Sequence, residues 1–463
     1  MSRIGAAGVG LEMPGIHCLC CRTVIGRQKR GVEVELGARC FSALPRKRQR
    51  LVTILIRRYG VNDTNSLKPT MKKNTIKSLR IQNLLSFGPD SPEVELGDLN
   101  VLIGPNGSGK SNLIEIIGLL RSTPKDFADE VGASGGVSEL LWKGRPKAKT
   151  TIATLQVVAS PTGVKRDLRY RLSFTRAGAQ LKIVDERIEN DQPDEGHDKP
   201  YLYFDHHGGR PVLNVAGKER SLRHEEVDPQ KSILSQRQDP DQYPEVTYLG
   251  RFFGSFRLYR NWEFGPDSGV RDLYGAELKN DFLEEDISNL GLMLNRLRAE
   301  PRSKSELLEY LGMFYEGAED ILTTIQGGLI DLRVEEKNGI TIPASRLSDG
   351  TLRWLSLLSI LLHPDPPPLV CIEEPELGLH PDMFGPLARL LLGASERMQL
   401  VVTTHSDALV DKLSGNAQSV IVCEKHDGSS VLTQLDADQL SAWLGRYTLG
   451  QLWRTGEIGG NRW

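Results

Sequence analysis

The chain has 463 residues, is 39% hydrophobic and 25% charged, and carries a formal net charge of -2. It is too long for one simple domain, its composition is that of a globular protein with a sizeable core, and its near-neutral charge excludes a polycation, so any nucleic-acid contact needs local basic patches. No apolar run approaches the ~18 residues of a membrane span, no signal-peptide core is visible, and six cysteines in this length do not make a disulfide framework, so a reduced cytoplasmic setting is expected.

Residues 1–70 differ from the rest. They hold 13 Lys and Arg against 4 Asp and Glu, together with Cys18, Cys20, Cys21 and Cys40. Cys18 and Cys21 have C-x-x-C spacing, and Pro45–Arg50 reads PRKRQR. A nucleic-acid arm or a small zinc site would use such residues, but zinc needs a second ligand pair that the segment lacks. The favoured reading is a basic extension without regular order, or a leader produced by a gene-model artefact ahead of a natural start at Met71.

From Met71 the pattern becomes regular. Strands are expected at Ile76–Ile81 and Leu99–Ile103, with a helix from Lys110 to about Leu120. Alternation predicts antiparallel strands at Thr151–Val158, Leu168–Phe174 and Leu181–Ile188. The polar stretch Glu189–Pro240 reads as loops and hairpins. Helical spacing marks Phe282–Leu297 and Ser303–Ile321. A second α/β block follows: helix Asp349–Leu362, strand Leu369–Ile372, helix Pro381–Leu392, strand Leu400–Thr404, helix Asp407–Leu413 and strand Val420–Val422. Sustained heptads are absent, so a long coiled-coil arm is not expected. Residues 71–463 therefore form one composite domain: an N-terminal lobe (71–190), an insertion with a helical region (191–345) and a C-terminal lobe (346–463).

GPNGSGKS (Gly104–Ser111) fits G-x-x-x-x-G-K-[ST] between the strand LNVLI and a helix, where a P-loop must sit. Gly104, Pro105, Asn106, Gly107, Ser108 and Gly109 let backbone N–H groups wrap phosphate oxygens at a helix N-terminus. Lys110 is then expected to reach the β- and γ-phosphates and Ser111 to ligate Mg²⁺, with Asn112 in the first turn beside them. A P-loop enzyme needs a further carboxylate on a neighbouring strand. LVCIEEPELGLHP (Leu369–Pro381) supplies two at the end of an apolar run. Adjacent carboxylates at the end of a buried strand are costly unless a cation shares the site. Glu373 is expected on the metal side and Glu374 on the attacking water. VVTTHSDALV (Val401–Val410) repeats the design and puts His405 at its strand end, where it could contact the γ-phosphate or the water. In RLSDGTLRWLSLL (Arg346–Leu358), Ser348 is an N-cap whose free N–H groups make an anion site, with Asp349 and Gly350 following.

This ordered set resembles the ABC-type ATPase core in its RecF-like and SMC-like branch, and in particular the predicted AAA-type ATPases of the RecF-like group. The resemblance runs from Met71 to the closing LGQLWRTGEIGGNRW. It implies an α/β P-loop NTPase fold of ABC type, with a mixed sheet, an antiparallel β subdomain and a helical insertion before the signature motif. It implies Walker A at Gly104–Ser111, Walker B at Leu369–Glu374 with catalytic Glu374, a D-loop region at Pro375–Pro381, a switch histidine at His405 and a signature at Leu347–Thr351. In that family ATP lies between Walker A of one subunit and the signature of another, which implies an ATP-dependent homodimer with Ser348, Asp349 and Gly350 acting in trans. Two departures stand out. Walker B carries Glu-Glu rather than Asp-Glu, and NLLSF (Asn83–Phe87) puts Leu85 where many relatives have an arginine.

ATP and Mg²⁺ are thus the expected cofactors and ATP hydrolysis the expected reaction. Three roles follow. An ATP-driven dimerising switch could act on DNA in repair or genome maintenance. The ATPase could instead gate a separate effector protein, such as a nuclease or toxin in an anti-phage defence system. It could also be a non-catalytic ATP-binding scaffold. RFFGSFRLYRNW (Arg251–Trp262), KGRPKAK (Lys143–Lys149) and KRDLRYR (Lys165–Arg171) interleave basic with aromatic or polar residues. The first could stack bases or could be a core strand, and the other two could be solvated faces. No membrane partner is expected.

Overall fold

Two sheets of different character come from two polarity patterns. The computed structural model describes residues 75–460 except 145–150, 208–210, 216–217, 222–226 and 267; before them it describes only the paired two-residue strands Arg27–Gln28 and Gly31–Val32. Cys18, Cys20, Cys21, Cys40, Met71, the run Pro45–Arg50 and most of Lys143–Lys149 lie outside the described residues. The chain divides into two compact units, Met1–Met71 and Lys72–Trp463.

In the second unit, β1 (Thr75–Gln82) and β2 (Val94–Glu95) precede β3 (Leu99–Ile103), whose five residues are all buried. Helix α1 (Lys110–Ser122) follows, then the short α2 (Phe127–Ala133) and α3 (Val137–Leu140). Alternating strands β4 (Ala153–Ser160), β5 (Leu168–Ala177) and β6 (Gln180–Asn190) form as expected. The polar stretch after them holds β7 (Leu202–His207), β8 (Val212–Val215), β9 (Lys218–Ser221) and the one-turn α4 (Ile233–Gln236). These strands make an eight-stranded antiparallel sheet in the order β9-β8-β7-β6-β5-β4-β1-β2. Within KRDLRYR, Leu168 and Tyr170 are core, while Arg169 pairs with Asp191 at 2.8 Å and Arg171 with Asp185 at 3.0 Å. Arg166 pairs with Asp194 at 2.8 Å, so three of the four basic side chains of the segment have carboxylate partners.

Helix α5 (Pro244–Gly254) leads into β10 (Arg257–Tyr259). Phe252, Phe253, Phe256 and Tyr259 of RFFGSFRLYRNW are all buried, and the three phenylalanines pack on one another with centroids 5.0–5.7 Å apart. Rings held in the core cannot stack bases, so these four follow the core reading; Trp262, the fifth ring, is half-buried.

A small sheet comes next: β11 (Tyr274–Gly275), then, after helices α6 (Leu290–Ala299) and α7 (Pro301–Phe314), β12 (Ala318–Gln326), β13 (Leu329–Glu336) and β14 (Thr341–Pro343). Two expectations fail here. Residues Phe282–Asn289 are not helical: buried Asn289 accepts from Glu284 N and donates to Lys279 O and Phe282 O, and Ile287 takes φ 58°, so side-chain bonds close a loop in place of the first helical turns. The helix expected to run to Ile321 stops at Phe314, because Ala318–Gln326 pairs with β13 through the tight turn Gly327–Gly328, and a β-branched run gains more from that ladder.

The last block is regular: α8 (Asp349–Leu361), β15 (Leu369–Glu373), α9 (Phe384–Ser395), β16 (Gln399–Thr403), α10 (Asp407–Asp411), β17 (Val420–His426), β18 (Ser429–Gln434), α11 (Ala437–Leu444) and α12 (Leu449–Thr455). It builds a six-stranded mixed sheet, β10-β15-β16-β3-β17-β18, with only β18 antiparallel. Leu102, Cys371, Val401 and Ile421 face α1 and the antiparallel sheet, while Val101, Ile103, Ile372 and Val402 face α8 and α9. Strands covered on both faces must be apolar throughout, which is why they read as continuous runs. The α/β fold with a mixed sheet and an antiparallel subdomain is thus present. Among the described residues no helix is long and apolar enough to cross a membrane.

One buried carboxyl ties the antiparallel sheet to α4. Glu186 accepts from Tyr170 Oη at 2.8 Å, from Ser232 Oγ and from Ile233 N at 2.9 Å, and burial pushes it from 4.5 up to about 7. The folded state therefore holds a proton that the unfolded chain has released, so stability falls as pH rises through that window. Urea unfolding at about pH 5 and about pH 8 is expected to show this fall in the native protein and a flatter profile in Glu186→Gln; equal slopes would contradict the assignment.

Candidate functional site

Register sets the site. Leu102 on β3 pairs with Thr403 on β16, and Thr403 pairs with Glu373 on β15. The three parallel strands therefore end in one row, and the segments that leave them meet at one edge, where open α/β sheets hold ligands.

The P-loop occupies the centre of that edge. Gly104, Gly107 and Gly109 have φ of 143°, 79° and 109°, which side-chain-bearing residues rarely adopt. A Cβ on Gly104 would lie 2.2 Å from Cys423 O, and one on Gly109 would lie 2.4 Å from Ser430 Oγ. Pro105 and Asn106 carry the loop outward, and Asn106 and Gly107 are exposed. Gly109 starts α1 without any side-chain cap, so the first N–H groups of a 13-residue helix stay available to an anion. Lys110 is buried and donates to Gly104 O at 2.7 Å and Pro105 O at 3.1 Å. Burial lowers its pKa, while Cys423, Glu374 and Glu373 act to raise it. Ser111 is exposed and Asn112 half-buried on the first turn.

On β15, which β16 separates from the P-loop strand β3, Glu373 Oε1 is buried without a hydrogen bond; Arg260 Nε lies 3.4 Å away but off hydrogen-bonding geometry. Glu374 leaves the strand at φ 47°, a strained conformation for this residue. It is pinned on both sides, since its N–H donates to Thr403 O at 3.0 Å and its carbonyl accepts from Arg353 at 3.0 Å. The turn aims its carboxylate at His405, whose Nε2 lies 3.5 Å from Glu374 Oε1. Burial and the charge of Lys110 lower the His405 pKa against the opposing pull of Glu374, which favours a neutral imidazole. Lys110, Glu373, Glu374 and His405 therefore share one electrostatic site.

Glu376 was not singled out in the sequence. It is buried, accepts from Thr404 Oγ1 and from His405 N at 3.2 Å, and is held above the usual carboxylate range by burial. It anchors the turn that carries His405. The signal was the third glutamate of EEPE, read as part of the following loop.

The signature segment lies elsewhere on the surface. Ser348 caps α8 by accepting from Thr351 N at 3.1 Å, as its position predicts. Asp349 ion-pairs with Arg271, which also donates to Leu347 O at 2.7 Å and Phe264 O at 2.9 Å. Ser348, Asp349 and Gly350 line a cavity with Gly378, His380 and Phe314, and no P-loop residue is among its walls. From the same helix Arg353 lies over the Trp262 ring at 5.3 Å while it holds the Glu374 carbonyl, so the signature helix touches the Glu374 turn directly. The sequence gives no reason to choose Arg353 or Arg271, because their partners lie far from them along the chain or are backbone carbonyls.

A magnesium ion fits the donors. Among the described residues no cluster of three or more His, Cys, Asp or Glu makes a protein cage. A P-loop site needs none, because Mg²⁺ takes one or two protein oxygens and completes its shell with phosphate and water. Glu373 Oε1 is a buried acceptor without a donor, and the exposed Ser111 hydroxyl stands at the start of α1.

A family model described as "AAA domain, putative AbiEii toxin, Type IV TA system" matches residues 99–411, a span that takes in the P-loop, Ser348, Glu373, Glu374 and His405. No curated protein matches the chain. Among solved structures, it is similar to the SMC head domain from Thermotoga maritima, at 15% identity and a TM-score of 0.40, covering 78% of this chain and 99% of that one. It is similar to the Smc head domain with an extended coiled coil bound to the C-terminal domain of ScpA, from Pyrococcus furiosus, at 13% identity and a TM-score of 0.45, covering 80% and 98%. A SmcHead bound to the C-winged helix domain of ScpA gives 14% identity and a TM-score of 0.47, covering 79% and 99%.

The Glu376 anchor can be tested. Glu376→Ala removes the acceptor of Thr404 Oγ1 and His405 N, and unfolding in urea is expected to show a loss of about 1–3 kcal/mol, the cost of orphaned buried donors. Unchanged stability would mean that the turn holds itself.

Proposed function

The chain belongs to the AAA-domain family that matches residues 99–411, and on that premise we propose that it binds ATP with Mg²⁺ and hydrolyses it to ADP and phosphate. The observation that carries this reading is the Glu374–His405 pair, 3.5 Å apart, at the ends of the two strands that lie on one side of a P-loop with a buried lysine. The residues divide the work as follows. The Gly104–Gly109 backbone and the uncapped start of α1 take the phosphates. Lys110 exchanges its bonds to Gly104 O and Pro105 O for phosphate oxygens, which relieves the cost of a buried ammonium. Ser111 and Glu373 would supply the protein oxygens for Mg²⁺, which would contribute charge neutralisation at the phosphates.

Glu374 accepts a proton from the attacking water. The water oxygen bonds to the γ-phosphorus as the bond to the β,γ-bridging oxygen breaks, and ADP leaves with that electron pair. Neutral His405 hydrogen-bonds the water or the γ-phosphate and keeps the Glu374 carboxylate in place. The strain at Glu374 is sustained by Thr403 and Arg353, so the base is pre-positioned.

The signature residues act in trans in this reading. Ser348, Asp349 and Gly350 line a surface cavity that no P-loop residue borders, which supports a second copy bringing them to the γ-phosphate, with ATP then driving dimerisation. The protein is an ATP-driven dimerising switch. Its output is a separate effector protein, with a clamp acting on DNA in repair or genome maintenance as the second reading. The family description, which names a toxin of a toxin–antitoxin system, favours the first. So does the burial of Phe252, Phe253, Phe256 and Tyr259, which removes four of the five rings of Arg251–Trp262 from base stacking.

Glu374→Gln is expected to retain ATP binding, slow hydrolysis by roughly 10²–10⁴-fold, the range for a lost general base, and accumulate an ATP-bound dimer on size-exclusion chromatography. Hydrolysis at the native rate would exclude Glu374 as the base. Lys110→Ala is expected instead to weaken nucleotide binding itself in a fluorescent-analogue titration. DNA binding that rises with ATP and falls steeply with salt would turn the output toward the clamp.

A further inference from the structure

The C-terminal segment returns to the nucleotide site. Its helix α12 (Leu449–Thr455) starts in a capping box between Thr448 and Gln451 and is locked to α10, the helix that follows His405. Thr448 Oγ1 donates to Asp411, Leu449 N donates to Ser414 Oγ at 2.9 Å, and Arg454 Nε lies 2.9 Å from Asp407 Oδ2. Gly450 sits so close to α10 that a Cβ there would lie 2.2 Å from Asp407 O. Beyond α12 the chain turns through Gly456, Gly459 and Gly460, all at positive φ. Trp453 Nε1 donates to Gly460 O at 3.2 Å, and Gly460 N donates to Glu424 Oε1 at 3.0 Å on β17.

The turn ends against the P-loop. A Cβ on Gly460 would lie 3.0 Å from Val422 Cγ1, 3.2 Å from Trp453 Nε1 and 3.5 Å from Gly104 Cα, and one on Gly459 would lie 2.9 Å from Glu424 Oε1. A Cβ on Gly104 would in turn lie 2.2 Å from Cys423 O on β17. The first glycine of the P-loop therefore has β17 and residue 460 as close neighbours, with room between residue 460 and Gly104 for no more than a methyl group in van der Waals contact. Both surfaces are rigid, one a ladder strand and the other a turn fastened by Trp453 and Glu424.

We propose that Thr448–Gly460 is a positioning strap for the nucleotide site: it fixes the backbone of Gly104 from outside the P-loop and ties it to the helix behind His405. The inference builds on the ATP reading above and adds what sets the shape of the phosphate cradle. Ordinary P-loop logic asks only for the loop's own glycines, whereas here a side chain on residue 460, which is 356 positions along the chain from Gly104, would start in van der Waals contact with the cradle, and branching beyond its Cβ would crowd it. Glycine at 460 is needed twice, for its φ of 74° and for the space.

The test is steady-state ATPase kinetics, nucleotide titration and thermal melting on the full chain. Gly460→Val is expected to raise KM and the Kd for a fluorescent ATP analogue by about tenfold or more while kcat stays within about twofold, because the catalytic residues are untouched. Glu424→Leu, which removes the acceptor of Gly460 N without adding bulk to the turn, is expected to move KM and Kd in the same direction, and Glu424→Gln, which keeps an acceptor, to restore them. Melting of the nucleotide-free variants should stay near that of the native protein. Native affinity in a folded Gly460→Val overturns the strap, as does a loss that only follows a fall in melting temperature. If Gly460→Val does not fold, the Glu424 pair decides by the same criteria. Failure of the native protein to bind the analogue would instead refute the ATP reading.

Discussion

The parallel register of β15, β16 and β3 is the constraint on which everything else depends. Hydrogen bonding across these strands places Glu373, Thr403 and Leu102 in one row, so three segments that lie far apart in the chain leave the sheet at the same edge. A slip of one residue would turn each strand's apolar set to the opposite face and misalign the carboxylates with the P-loop. Burial on both faces resists that slip. Leu102 and Val401 must meet α1 while Val101 and Val402 must meet α8 and α9, and no shifted register satisfies both.

Around this row the structure arranges groups that cost free energy to bury. Lys110 is a buried ammonium held by carbonyls, Glu373 Oε1 a buried acceptor without a donor, Glu374 a residue at φ 47°, and Glu376 a buried carboxyl. Each is unfavourable alone. Together they form an electropositive cradle beside paired carboxylates, which an anionic nucleotide and a divalent cation would neutralise. Arg353 links this set to the signature helix through the Glu374 carbonyl and the Trp262 ring. The signature helix is fixed in turn by buried Trp354, which donates to Tyr310 O at 3.0 Å and stacks on Phe314 with centroids 5.8 Å apart.

Much of the fold was legible because its signals are local. The strand at Leu99–Ile103, the P-loop helix and the strands at Leu369 and Leu400 follow from unbroken apolar runs punctuated by glycine or proline. The failures are equally physical. Ser303–Ile321 has helical spacing of apolar residues, but the ladder with β13 overrode it after Phe314. Phe282–Asn289 lost its helix to the side-chain bonds of one buried asparagine. The aromatics of Arg251–Trp262 were ambiguous between surface and core, since composition does not state which way a ring faces.

The sequence by itself determined the chemistry at each strand end: a phosphate-binding loop, a carboxylate pair, a histidine and a capped helix, each defined by residue type at short spacing. Tertiary structure alone decided their relations. It brought Glu374 to His405, assigned Glu376 and Arg353 to hold that turn, left the P-loop out of the cavity that Ser348 lines, and set Gly460 beside Gly104. The reason is range. Local motifs are written in covalent neighbours, whereas the partners of Arg353, Arg271 and Gly460 are backbone atoms, packing space and side chains distant along the chain, which no pattern in the sequence announces.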